Sequence, residues 1–66
     1  MKQYKLQCRL SKNLPWFDWL EYDKKVFLTT FLDVIECRLK HLKSEYPLCE
    51  WRIMYCIMPE WLEVVQ

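Results

Sequence analysis

The chain contains no glycine and no alanine. Average usage would give about five glycines in a chain of this length, 66 residues. Phosphate-binding loops need glycine because the backbone must approach the ligand closely, so nucleotide sites of the GxGxxG and P-loop kinds are excluded. Bulky side chains are common instead, with four tryptophans, four tyrosines and three phenylalanines. A chain of this size has a thin core, and we expect one domain over residues 1–66.

Long apolar runs and an excess of one charge are also missing. Ten Lys and Arg residues stand against nine Asp and Glu residues, and the net charge of +1 gives little attraction to nucleic acid. No window approaches the ~20 apolar residues that cross a bilayer. Charged and apolar residues alternate from the start of the chain, unlike a signal peptide. We therefore expect a cytoplasmic protein that does not enter a membrane.

The four cysteines do not follow a disulfide or metal-binding pattern. A disulfide-stapled scaffold needs an export signal, so reduced thiols are expected at Cys8, Cys37, Cys49 and Cys56. Cys37 and His41 share a helical face at i,i+4 and would supply half of a zinc site, but the sequence has no CxxC pair to complete it. The sequence therefore predicts no metal and no other cofactor.

Two strands are predicted in the first third of the chain. Apolar and polar residues alternate over residues 4–10, which is typical of a strand with one buried face. Residues 16–22 fit either a strand or a helix with Trp16, Trp19 and Leu20 on one face. Aromatic enrichment and short length favour a strand, which we expect to pair antiparallel with the first.

The middle of the chain has the period of an amphipathic helix. From Phe27 to Tyr46 apolar residues recur at steps of three and four, and charged residues line the opposite face. Asp23 has the side chain of a helix N-cap, and Pro47 prevents the helix from continuing. These signals predict one helix over residues 24–45.

The last third predicts a further strand and leaves a fourth one open. Apolar residues alternate from Cys49 to Ile57, and Pro59 interrupts the pattern. Residues 60–66 are strand-like and would form a hairpin partner or an edge extension. The expected fold is α+β: a small antiparallel sheet in the order ββαβ, with or without a fourth C-terminal strand, and one long helix packed across one face.

Side chains with catalytic chemistry are sparse. The chain has a single histidine, and the carboxylates of Asp33 and Glu36 lie on the solvent side of the predicted helix. A domain this small also has difficulty in enclosing the ~300 Å³ that small-molecule sites need. The sequence therefore predicts that the protein is not an enzyme and has no small-molecule substrate.

Basic and aromatic residues on one sheet would suit nucleic acid. Lys5 and Arg9 point outward on the first strand, and Arg38, Lys40 and Lys43 crowd the end of the helix. Acidic residues intersperse the predicted sheet, however, and reduce the field that a phosphate backbone would meet. A small nucleic-acid-binding or nucleic-acid-mimicking regulator is therefore the alternative function.

A protein partner agrees better with the composition. Both faces of the predicted sheet carry bulky residues, and one helix can cover only one of them. Trp51, Ile53, Tyr55 and Ile57 are the more apolar set and should face the helix. The opposite set is expected to bind a partner, because exposed Trp, Met and Arg are typical of interface centres. It comprises Trp16, Trp19, Arg52, Met54, Met58 and Trp61. The partner would be another protein or a second copy in a two-fold dimer.

The order of a strand, an aromatic strand, a long helix and a Trp-Arg-Ile strand resembles that of many small α+β proteins of phages and mobile elements. The resemblance covers the whole chain and includes no diagnostic motif. It implies a stoichiometric binder or inhibitor of a host protein complex. The function that we expect is thus a non-enzymatic protein-interaction module.

Overall fold

The structure is a computed structural model, and it describes residues 2–57 and 60–64. Its elements in chain order are β1 (Gln3–Arg9), β2 (Phe17–Asp18), α1 (Leu32–Glu45), β3 (Glu50–Ile57) and β4 (Glu60–Glu63). The strands form one sheet in the order β2-β1-β3-β4, and every neighbouring pair is antiparallel. This confirms the predicted α+β fold, and the open fourth strand is present as a hairpin partner of β3.

The core lies between α1 and the two central strands. Leu6 of β1 and Ile53 of β3 are directly opposite each other in the sheet. Three residues of α1, Ile35, Leu39 and Leu42, pack on them at steps of four and three, and none of the five side chains is more than 4% exposed. Burial of this apolar stripe stabilises the helix, which is too short to be stable alone in water.

The helix begins at Leu32, so the predicted helix over residues 24–45 was wrong in its first two turns. The backbone of Thr29 instead pairs with Tyr4, which lies near the start of β1. The N–H of Tyr4 donates to the Thr29 carbonyl at 2.7 Å, and the N–H of Thr29 donates back at 3.1 Å. This long-range pairing satisfies the backbone N–H and C=O of Tyr4 on the side of β1 that faces away from β3. A helix at residues 24–31 would leave these two groups without that partner.

Asp23 is not the helix N-cap that the sequence predicted. Its Oδ1 accepts a hydrogen bond from the backbone N–H of Lys25 at 3.1 Å, which closes a turn two residues along the chain. Lys24 has a φ of 62°, a left-handed conformation that a continuing helix does not contain. The Asp23 carboxylate therefore accepts a backbone N–H, as an N-cap side chain does, but the bond stabilises a turn and not the start of a helix.

The second strand is shorter than the predicted segment over residues 16–22. Phe17 and Asp18 pair antiparallel with β1, as expected, and Trp19 adds a backbone hydrogen bond to the Leu6 carbonyl at 2.9 Å. The chain then turns away, and Leu20 forms an isolated bridge with the residue after the turn. The bend limits β2 to two residues.

Side-chain alternation gives the sheet a helix side and an open face, the face that α1 does not cover. Trp51 and Ile53 lie on the helix side, as predicted, and Trp51 packs against the core. Ile57 has the same parity but is 52% exposed.

In the part of the chain that the structure describes, no helix is long and apolar enough to cross a membrane.

Candidate functional site

The open face carries long polar side chains and two tryptophans. The strand register places Lys5 beside Met54, Gln7 beside both Asp18 and Arg52, and Arg9 beside Glu50. Met54 in turn lies beside Glu63 of β4. The residues of the open face used below are Lys5, Gln7, Arg9, Trp16, Asp18, Glu50, Arg52, Met54, Trp61 and Glu63.

A chain of side-chain contacts crosses all four strands on this face. Gln7 of β1 is its centre: its Nε2 donates to Asp18 Oδ1 at 2.9 Å, and its Oε1 accepts from Arg52 Nε at 2.8 Å. Arg52 continues the chain to β4 through Nη1, which is 3.4 Å from Glu63 Oε1. The polar layer therefore links the two edge strands through the two central ones.

Asp18 lies at the β2 end of this series of side-chain contacts. Its Oδ1 is 3.0 Å from Lys5 Nζ, in addition to the hydrogen bond from Gln7. Partial burial would raise the pKa of the Asp18 carboxyl, but the Gln7 hydrogen bond and the Lys5 ammonium outweigh it and lower that pKa below its usual value. The group is thus held as a carboxylate.

Cations rest on both tryptophan rings of the open face. The guanidinium carbons of Arg9 and Arg52 lie 4.2 and 4.3 Å from the ring centroid of Trp16. Lys5 Nζ lies 4.2 Å from the ring centroid of Trp61. These distances are well inside the range of cation–π attraction, so the tryptophans are held by polar neighbours.

The charges of the open face balance in pairs. Lys5 is paired with Asp18, Arg9 with Glu50 at 3.4 Å, and Arg52 with Glu63. Among the described residues of this face, three cations therefore meet three carboxylates. The paired cations lie flat on the sheet, since the Lys5 and Arg9 side chains are only 12% and 21% exposed.

The structure brings together three of the six residues predicted to bind a partner. Trp16 and Arg52 are in contact, and Trp61 reaches the same layer through Lys5. Met54 has the predicted parity, but it is only 7% exposed, so its expected availability to a partner was wrong. It lies at the middle of the sheet between the long side chains of its neighbours on β1 and β4.

The other two predicted residues are not on the described open face. Trp19 lies on the helix side, where its ring centroid is 5.4 Å from that of Trp51 and 5.7 Å from that of Tyr46. The expectation that Trp19 points to a partner was wrong, because Trp16 and Trp19 are three residues apart in an extended segment and alternation directs them to opposite faces. Met58 lies outside the described residues.

Bare apolar surface is found away from the open face. The largest exposed fractions among the larger apolar side chains belong to loop residues such as Leu48, at 87%, and Leu10, at 69%. Phe31, just before α1, is 64% exposed. The expectation of an uncovered apolar sheet face was therefore wrong, because the polar layer covers it.

Two open depressions flank the helix. One, of about 310 Å³, lies between the start of α1 and the β4 end of the sheet and is lined by Leu32, Tyr55 and Val64. The other, of about 390 Å³, is lined by Trp19, Tyr46 and neighbouring residues. Both are open to solvent, so neither is an enclosed cavity of the kind that the sequence analysis considered.

All four cysteines carry free thiols. Burial raises the pKa of the Cys8 thiol, and the nearby Cys49 raises it further.

On the helix, the ring of His41 contacts the carboxylate of Glu45 at 2.5 Å. Within residues 2–57 and 60–64, no three His, Cys, Asp or Glu side chains are grouped so that they could hold a metal ion.

Comparison of the chain with protein-family models, curated proteins and solved structures found no match in any of the three.

Proposed function

We propose that this chain is a non-enzymatic protein-binding module and that its open face contacts the partner. The observation that carries the proposal is the pair of tryptophans, Trp16 and Trp61, each held against a cation at 4.2 Å. Tryptophan and arginine are the residue types that contribute most to protein-binding energy. Their positions are fixed before binding, which reduces the entropy lost when a partner docks.

The charge balance favours a protein over a nucleic acid. A phosphate backbone is bound by unpaired Lys and Arg side chains, and binding is driven by release of its counterions. Here Lys5, Arg9 and Arg52 each contact a carboxylate. Their positive field is largely cancelled, whereas a protein surface of mixed polarity needs no net field.

The carboxylates of the open face support a binding role over a catalytic one. Asp18 accepts hydrogen bonds from Gln7 and Lys5, and its pKa is lowered, which suits a permanent carboxylate more than a proton donor. We extend the proposal to a stoichiometric inhibitor of a protein complex in the cytoplasm, where the four thiols would stay reduced.

The test is quantitative capture of one partner by matched variants. The immobilised chain is incubated with an extract of the cells in which it occurs, and captured proteins are quantified by mass spectrometry. Trp16→Ala and Trp61→Ala should each weaken retention of the same partner about 30-fold, the effect of a 2 kcal/mol hot spot. Retention should be insensitive to nuclease treatment.

Phe17→Ala is the matched control, because Phe17 follows Trp16, is 59% exposed and lies on the helix side of the sheet. It should retain the partner, as should charge reversal at Lys40 and Lys43, which are exposed on α1. Circular dichroism verifies that each variant is folded. Equal retention by the tryptophan variants and the controls would contradict the proposal, and nuclease-sensitive capture would favour the nucleic-acid alternative.

A further inference from the structure

Within residues 2–57 and 60–64 no strand pairs with the outer edge of β4, and the backbone groups along this edge follow a definite pattern. In antiparallel strands, consecutive residues direct their N–H and C=O alternately to the two sides. The N–H of Val64 donates to the Ile53 carbonyl at 2.8 Å, and Leu62 lies opposite Tyr55, so Leu62 and Val64 direct these groups to β3. Trp61 therefore directs its N–H and C=O outward, and so does Glu63.

We infer that β4 pairs with β4 of a second copy of this chain, antiparallel about a two-fold axis that passes through Leu62. This register sets Trp61 opposite the second copy's Glu63, and Glu63 opposite the second copy's Trp61. Both pairs consist of residues with outward backbone groups, so each pair can exchange two hydrogen bonds. In a register centred on Trp61, this residue would lie opposite the second copy's Trp61. That would be one hydrogen-bonded pair within the described strand, and it would give half as many hydrogen bonds.

The side chains agree with the same register. Leu62 is 40% exposed on the helix side of the sheet, and the axis places it directly opposite the second copy's Leu62. Such a non-hydrogen-bonded pair has the closest side chains in an antiparallel sheet. The depression lined by Leu32 and Val64 lies on the same side, so the contact adds to an existing apolar surface.

The charges do not oppose this pairing. Glu60 lies opposite the second copy's Val64, and Glu63 lies opposite the second copy's Trp61, so no two carboxylates are directly across from each other. The axis is perpendicular to the sheet, and both open faces therefore lie on the same side of the joined eight strands. The dimer would form through the edge of β4, independently of the function proposed above, and would leave Trp16 free.

A cysteine at the axis tests the register. Leu62→Cys, made together with Cys37→Ser to remove an exposed native thiol, should be converted to a disulfide-linked dimer by oxidised glutathione, because two thiols would meet at the axis. Glu60→Cys in the same background is the matched control and should stay monomeric on a non-reducing gel. Equal cross-linking of the two variants would overturn the register.

A proline at the edge tests the association itself. Glu63→Pro removes an outward N–H and spares the N–H groups that bond to β3, whereas Glu63→Gln removes the charge and keeps the N–H. In sedimentation equilibrium at micromolar concentration, the parent chain and Glu63→Gln should have twice the 8.3 kDa mass of one chain. Glu63→Pro should sediment as a folded monomer. A parent chain that is monomeric throughout this range, or a Glu63→Pro variant that stays dimeric, would overturn the inference.

Discussion

Gln7 shows how one neutral side chain organises the open face. It donates to Asp18 and accepts from Arg52, so its amide joins an acidic group on one edge strand to a basic group on a central strand. A carboxylate at this position would lack the donor for Asp18, and a lysine would lack the acceptor for Arg52. The amide is the side chain whose chemistry matches both neighbours.

Asp18 gives the open face a dependence on pH. Because the pKa of its carboxyl is lower in the folded chain than the usual unfolded value of about 3.9, its contribution to stability is present above that pH. The contribution is lost as the pH falls through the lower, folded-state pKa. We expect Asp18→Asn to lose less stability than the parent chain as the pH falls below about 4.

Urea unfolding followed by tryptophan fluorescence at a series of pH values would measure this difference. Glu36→Gln is the control, since Glu36 is exposed on α1 and outside the polar layer. It should follow the parent curve. Parallel loss of stability in the parent chain and in Asp18→Asn would contradict the role assigned to this carboxylate.

At the scale of the element, α1 starts with an apolar N-cap. Phe31 has the extended backbone that the position requires, with φ of −106° and ψ of 116°, but no side chain caps the first turn. Asp33 supplies favourable charge in that turn. Replacing Phe31, which is 64% exposed, by a capping residue therefore adds hydrogen bonds and removes little packing.

We expect Phe31→Asp to raise the free energy of unfolding by about 1 kcal/mol, the usual gain from a capping side chain. Thermal or urea unfolding followed by far-UV circular dichroism would measure it. Thr30→Asp places the same charge one residue too early and should change stability much less. A loss of stability in Phe31→Asp would mean that the Phe31 ring packs usefully against its surroundings.

The sequence pattern correctly predicted the strands and the helix residues whose buried faces follow from their own hydrophobic periodicity. The alternation in β1 and β3 and the three- and four-residue steps from Ile35 to Leu42 correspond directly to the observed faces. Residues 24–31 also fit the helical period, yet Thr29 forms backbone hydrogen bonds with Tyr4, far away in the sequence. No local pattern contains that contact.

The open face was also predictable only where it depends on local alternation. The alternation over residues 4–10 indicated that Lys5 and Arg9 point outward. The place of Gln7 opposite both Asp18 and Arg52 depends on the register of two strand pairs, which the sequence does not specify. Composition indicated a tryptophan-and-arginine surface, but the covering of Met54 by long polar neighbours follows only from that register.

At the scale of the whole molecule, the domain separates two kinds of surface. The open face is polar, charge-balanced and carries ordered tryptophans, whereas the most exposed apolar side chains lie in loops, such as Leu10 and Leu48. Interface centres combine aromatic anchors with satisfied polar groups, and the open face has both. We therefore expect a partner to dock on this face and not on the solvent side of α1.

Site-specific photo-crosslinking tests this expectation. A benzophenone amino acid replaces Gln3, which is exposed on the open face at the start of β1, or Lys40, which is exposed on α1. Both tryptophans of the open face are kept. Irradiation in the presence of the captured partner should link the partner to the chain labelled at position 3 and leave the chain labelled at position 40 unlinked. Cross-linking of the partner from position 40, with none from position 3, would contradict docking on the open face.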